Sequence, residues 1–268
     1  MSELFIPDRT FTDKVYAAML RGGKLMLEAH DIAVSIESKA GDKNYFTSYD
    51  IAVQELMYRE LKAILPDAGF IGEEGEEHNT AQLSDRVCFI VDPIDGTNNF
   101  IACYRFSAIS VAVADHGTLV AGYIYNPYSN EFFHAVKGGG AHLNDMPVSV
   151  SERPLCDGMV GFGTSPYKRE LSERTFSVLR RIYPISRDLR RSGSAALDIA
   201  YVACGRIEAF FEGELQPWDY AAGSVLVTEA GGVITDVLGN PLPLSRPSSV
   251  FTSNLVCRDE AFDIIREY

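Results

Sequence analysis

Nowhere in these 268 residues does an apolar run approach the roughly 18 residues that a bilayer-spanning helix needs. There is also no Cys-x-x-Cys pair and no His-Glu-x-x-His cluster. The five cysteines are scattered (Cys88, Cys103, Cys156, Cys204, Cys257) and odd in number, which excludes a disulfide framework and suits a reducing cytoplasm. Several lie in apolar runs such as Val87-Cys88-Phe89-Ile90, where a reduced cysteine behaves as a small buried hydrophobe. The five histidines fall in no ligand spacing, which argues against a His-rich zinc site. Met1-Ser2-Glu3-Leu4 has neither the basic nor the apolar region of a signal peptide, so a cytoplasmic location is expected, away from membranes. Basic residues are scarce as well. Against 37 Asp and Glu stand 24 Lys and Arg, a formal net charge of -13, and this disfavours nucleic acid as a partner. An acidic protein can still take a phosphate ester when bound cations supply the local positive charge.

What is present is ordinary globular material, 46% hydrophobic and 23% charged, long enough for one compact unit of two fused subdomains. The change of rhythm falls near residue 150. The first part, residues 1–150, is expected to carry a helix over 10–30 with a capping-box-like start at Thr10 and Asp13. A polar loop or short hairpin follows over 38–49, then a helix over 50–65 ended by Pro66. Val87 to Val91 reads as a buried strand that Pro93 should end, since proline cannot donate to a sheet ladder. Three strands joined by short turns over 107–136 imply an antiparallel sheet. In residues 151–268 strands alternate with helices, as in a helix-covered sheet.

The chemistry concentrates in Asp92-Pro93-Ile94-Asp95-Gly96-Thr97. Two carboxylates three residues apart can converge, the Ile94 carbonyl adds a hard oxygen, and Gly96 and Thr97 offer N–H groups to a phosphate. Alone, this spacing is as well explained by a solvated turn. Three further features add weight: Glu73 and Glu74 between glycines after an apolar strand, the single Trp218 beside Asp219 before an Ala-rich helix, and Lys39 and Asp50 bracketing the first polar loop. Each also has a plain reading. The two glutamates and the Lys39–Asp50 charges suit a solvated surface, and Asp219 suits a helix N-cap.

Together, Gly72-Glu73-Glu74, the run from Asp92 to Thr97 and Trp218-Asp219-Tyr220-Ala221-Ala222-Gly223 resemble, in order and separation, the signature motifs of the inositol monophosphatase family. The likeness continues through Gly193-Ser194-Ala195-Ala196-Leu197-Asp198 and Glu229-Ala230-Gly231-Gly232, so it covers nearly the whole chain. It implies an α+β, layered α/β/α/β/α fold, a homodimer, and lithium-sensitive hydrolysis of a small-molecule phosphate ester. Glu73, Asp92, the Ile94 carbonyl, Asp95 and Asp219 would hold two or three Mg²⁺ ions. Glu74 would sit beside them and assist the water or a more weakly held metal, Thr97 and Asp50 would orient the attacking water, and Lys39 would lie near the phosphate and the weakest metal. Gly96 and Thr97 would cradle that phosphate, while Gly193, Ser194, Ala195 and Glu212, with Arg190 upstream, would contact the rest of the substrate. Gly75, Asn98 and Gln216-Pro217 depart from the family's pattern without removing a ligand.

Haloacid-dehalogenase-like phosphatases also end a strand in paired Asp residues, but two apart, with the first a covalent nucleophile. A calcium-binding module lacks its D-x-[DN]-x-[DN]-G loop here, and Lys137-Gly138-Gly139-Gly140 is not a dinucleotide fingerprint. Within the family, Glu212 favours a neutral polyol. Inositol monophosphate is therefore the expected substrate. Fructose 1,6-bisphosphate comes next, because Arg190-Arg191 could meet a second phosphate, and histidinol phosphate is a further alternative.

Overall fold

The computed structural model describes residues 4–30, 36–38, 45–75, 83 and 87–268. Helix α1 spans Arg9–Leu27 and is capped by Asp8, whose carboxylate accepts the Phe11 N–H at 2.7 Å. The expected start at Thr10 is thus corrected: Asp13 lies beyond the first turn and pairs with Arg9 at 2.8 Å. Strands β1 (Ile36–Ser38) and β2 (Tyr45–Thr47) pair antiparallel. Helix α2 (Ser48–Ile64) follows, its first turn locked by a capping box between Thr47 and Asp50.

Next come β3 (Gly69–Gly72), β4 (Val87–Asp95), helix α3 (Thr97–Ile101), β5 (Ala108–Asp115), β6 (Thr118–Asn126), β7 (Glu131–Val136), β8 (Ala141–Leu143) and β9 (Met146–Val148). These seven strands lie side by side in chain order. The β5–β6–β7 meander is antiparallel as expected, whereas β3 and β4 run parallel. β4 does not stop at Pro93. Its pairing with β5 resumes at Asp95 after a register shift between Asp92 and Asp95, a bulge that takes up the proline's missing donor.

The second sheet contains β10 (Met159–Phe162), β11 (Asp188–Arg190), β12 (Ala209–Leu215), β13 (Val233–Thr235) and β14 (Ser248–Ser253), in the order β11-β10-β12-β14-β13. It is mixed: β10 is parallel to β11 and β12, and β14 is antiparallel to β12 and β13. Its helices are α4 (Ser172–Ile182), α5 (Ala195–Ala203), α6 (Pro217–Glu229) and α7 (Arg258–Ile265).

Three apolar cores hold five layers together. Val15, Met19, Val53 and Met57 of α1 and α2 pack on one face of the seven-stranded sheet, against Phe89, Val111 and Tyr123. Its other face, through Ile90, Ala112 and Ile124, meets the buried helices α5 and α6, which also cover Phe210 and Val250 of the second sheet. α4 and α7 cover the far side of that sheet through Val178, Leu179, Ala261 and Ile265. A sheet buried on both faces reads as continuous apolar strands, and all of β5 is buried. The result is the layered α/β/α/β/α arrangement. α6 sits close: a Cβ on Gly122 of β6 would collide with the Ala222 carbonyl, and one on Gly223 with Ile199 of α5.

Candidate active site

The β4 bulge, the loop after β3 and the start of α6 meet at one end of the middle layer. Within the bulge the Ile94 N–H donates to Asp92 Oδ1 at 3.0 Å, which fixes that carboxylate against its own backbone. Asp95 is held from across the cleft by α5: Ser194 Oγ donates to it, as do the N–H groups of Ala196 at 3.0 Å and Ala195 at 3.3 Å. Ser194 is also the cap of α5, so one residue starts the helix and aims the acid. Asp219 stands at the third position of α6, not at its cap as a lone Asp would be read. Its Oδ2 accepts the Gln216 N–H at 2.7 Å. Carboxylate oxygens of Asp92, Asp95 and Asp219 all lie within 4.8 Å of one another. Glu73 joins them because β3 runs beside β4 in register Gly72 to Val91, and its side chain lines the same cavity.

Crowding of this kind is costly without a cation. Burial first, then repulsion from Glu73, Asp95 and Asp219, pushes the Asp92 carboxyl well above the usual range. Burial, then Asp95 and Glu73, does the same to Asp219. Burial raises Asp95 to about 6 even though Ser194 and the α5 N–H groups pull the other way. Ile94 also lines the cavity, and the donor set is hard oxygen throughout. It fits a hard divalent ion and offers no soft ligand.

Behind the acids, Thr97 Oγ1 lies 3.1 Å from the Ile94 carbonyl and 3.2 Å from Asp50 Oδ1. The other Asp50 oxygen accepts Thr47 N–H and Oγ1 at 2.7 and 2.6 Å. Burial raises the Asp50 carboxyl to about 6 against those hydrogen bonds. Gly96 takes a left-handed φ of 89°, and a Cβ there would press on the Gly193 and Phe106 carbonyls. Glu74 is buried and does not line the cavity. Gln54 clamps its main chain, accepting the Glu74 N–H at 2.8 Å and donating to its carbonyl. Lys39 lies outside the described residues.

The facing wall brings together Gly193, Ser194, Ala195 and Glu212. Glu212 accepts the Ser165 N–H at 2.7 Å, and burial raises its carboxyl to about 7. Arg190 is corrected: on β11 its guanidinium pairs with Asp188, two residues back on the same strand face, and it does not line the cavity. The neighbouring Arg191 does. Sequence reading also passed over Asp198, which is buried on the cavity and accepts from Ser192 Oγ. Its signal was helical spacing, since it lies four residues after Ser194 on the same face of α5.

A layered α+β fold with a cation-ready acid cluster at the edge of its middle layer is that of a phosphatase. A family model, the inositol monophosphatase family, matches residues 8–264, and the chain belongs to that family. It is 38% identical over 238 residues to the inositol-1-monophosphatase of Rhizobium meliloti (strain 1021), covering 87% of this chain and 88% of that one. To the Nus factor SuhB of Escherichia coli (strain K12) it is 36% identical over 225 residues, covering 83% of each. Among solved structures, the Thermotoga maritima IMPase superposes with a TM-score of 0.85 at 29% identity, over 96% of both chains. Among the described residues no helix is long and apolar enough to cross a membrane.

Proposed function

We propose that this protein is a Mg²⁺-dependent phosphoric monoester hydrolase acting on a polyol or sugar phosphate, with inositol monophosphate its preferred substrate. The observation that carries the reading is the convergence of Asp92, Asp95 and Asp219 from separate elements to within 4.8 Å. Glu73 and the Ile94 carbonyl complete the set, which would hold two or three ions. When bound, Mg²⁺ supplies charge neutralisation for the phosphate and lowers the pKa of water.

The remaining work falls to the chain. Thr97 and Asp50 form a hydrogen-bonded pair beside the acids, suited to orienting a water and receiving its proton. Gly96 and Thr97 cradle the phosphate, and Glu212 accepts hydroxyl hydrogens of the leaving group opposite. Asp92 is a ligand, so no phosphoenzyme forms. Glu74 supports the Glu73 loop from behind, and Lys39 is assigned near the phosphate by family likeness. A cytoplasmic homodimer, inhibited by lithium, completes the reading. Fructose 1,6-bisphosphate and histidinol phosphate are the next substrates to consider.

The test is a phosphate-release screen over polyol, sugar, histidinol and nucleotide monoesters with and without Mg²⁺. Mg²⁺-dependent release, fastest from myo-inositol 1-phosphate, is expected. Silence with every ester, in folded Mg²⁺-loaded protein, would instead favour a non-catalytic role of the kind the name Nus factor denotes.

A further inference from the structure

Gly213 lies in β12 between Glu212 and Glu214, where the pairing of β12 with β14 shifts register between Glu212 and Leu215. Its φ is not left-handed, so the backbone does not call for glycine there. Space does: a Cβ at Gly213 would land on the Tyr268 phenol. Alternation along β12 puts Phe211 and Gly213 on the side covered by α4 and α7, and turns Glu212 to the cleft. The Tyr268 ring therefore fills, from the far side of the sheet, the place of the side chain that Gly213 lacks.

That ring is held by contacts of its own. It meets Phe211 edge-on with centroids 6.4 Å apart. The phenol oxygen lies 3.0 Å from Thr175 Oγ1 of α4, and Thr175 donates in turn to the Leu171 carbonyl at 3.2 Å. One residue earlier Glu267 pairs with Arg181, also of α4, and the Tyr268 N–H donates to the Ile265 carbonyl at 2.8 Å. The turn after α7 is thus fastened to α4 with its ring against the bulge. On the cleft side Ser165 grips the same bulge: its N–H donates to Glu212 at 2.7 Å, and its Oγ accepts the Glu214 N–H at 3.0 Å. A bulge gives up ladder partners and a glycine has no side chain to pack, so flanking groups fix its position. Here they are Ser165 in front and Tyr268 behind.

Resting on the phosphatase reading above, we propose that Tyr268 is a positioning residue: its ring backs the β12 bulge and so sets how far Glu212 reaches into the cleft. It tunes affinity for the hydroxyls of the leaving group without touching the substrate.

The experiment compares myo-inositol 1-phosphate with phenyl phosphate, whose leaving group carries no hydroxyl for Glu212 beyond the ester oxygen. Tyr268→Ala should raise KM for the inositol ester about threefold, with kcat and the KM for phenyl phosphate unchanged. Tyr268→Phe, which keeps the ring, should stay near wild type. In a Glu212→Ala background Tyr268→Ala should add nothing further, because the carboxylate through which the ring acts is gone. Gly213→Ala, which pushes the ring aside, should reproduce Tyr268→Ala, and it carries the test if that variant does not fold. Additive effects of Tyr268→Ala and Glu212→Ala, equal losses for both esters, or no loss overturn the proposal. Should the wild-type protein hydrolyse neither ester, the phosphatase reading fails, and the NMR resonance of the Ser165 amide, which donates to Glu212, decides Tyr268. A shift in Tyr268→Ala that Tyr268→Phe does not show upholds the positioning role, and an unmoved resonance overturns it.

Discussion

The two walls of the cleft carry four acids and two, and hold them differently. On the β4 side, Asp92, Asp95 and Asp219 face one another within 4.8 Å, and burial with mutual repulsion drives them toward protonation. On the α5 and β12 side, Glu212 and Asp198 are each tied by a serine, with Arg191 close by. On the second wall burial also raises both carboxyls, Glu212 to about 7, while the serine partners and the charge of Arg191 pull the other way. Both walls therefore respond to pH, and the first, where three carboxylates converge, is the one suited to respond to metal as well.

The harshest way to break this contrast is Asp95→Asn. It keeps the side chain's size and can keep the acceptor for Ser194 Oγ and the Ala196 N–H, but gives up the one for the Ala195 N–H and removes a charge from the crowded wall. Turnover should fall by about a thousandfold or more, with melting unchanged or raised in chelator. Near-normal activity would falsify the assignment of the β4 wall to catalysis.

The contrast should next appear in stability. Asp50 and Asp95 have folded-state values near 6 against an ordinary 3.8, so the folded chain holds extra protons between those limits. Their effect on the metal-free protein is a stability that is greatest at low pH and lost as pH rises through about 6. Asp50 alone accounts for roughly 3 kcal/mol of it. In EDTA the melting temperature should therefore be higher at pH 5.5 than at pH 8. Saturating Mg²⁺ should reverse that order, because the ion displaces the protons. The same pH trend with and without metal would remove the cation from the account.

A finer cut is Ser194→Ala, which takes a donor from Asp95 and the cap from α5. Divalent-ion affinity, by calorimetry, should weaken about tenfold and the fold lose about 1 kcal/mol. Smallest is Glu212→Gln on the second wall. KM for inositol 1-phosphate should rise a few-fold with kcat nearly constant, since the change touches ground-state binding more than the reacting phosphate. An equal fall in kcat would place Glu212 in the chemistry.

Much of this was legible beforehand because the acids sit at punctuation: after a strand, between glycines, before a helix. Punctuation singled out the Asp92–Thr97 run and Asp219 but left each with a plain reading; the resemblance to the inositol monophosphatase family made them candidate ligands, and an apolar run located the buried strand at Val87. What was hidden depended on partners. Nothing local says that Pro93 lies in a bulge and not at a strand end; β5 decides that by resuming its pairing at Asp95. Asp8 outcompetes Thr10 as a cap because Asp13 is drawn off by Arg9. Choosing between Arg190 and Arg191 required knowing where β11 ends, a boundary set by its pairing with β10.

The contact of Gly122 with Ala222 reaches further than packing. α6 can rest on β6 only as near as those two residues allow, and Asp219 rides on its first turn while Asp92 and Asp95 are carried by the sheet itself. The thickness of the middle layer is thus the calliper that sets the opening between the jaws of the acid cluster. A methyl group added at Gly122, touching no ligand and no substrate, would widen that opening as surely as a change in the ligands themselves.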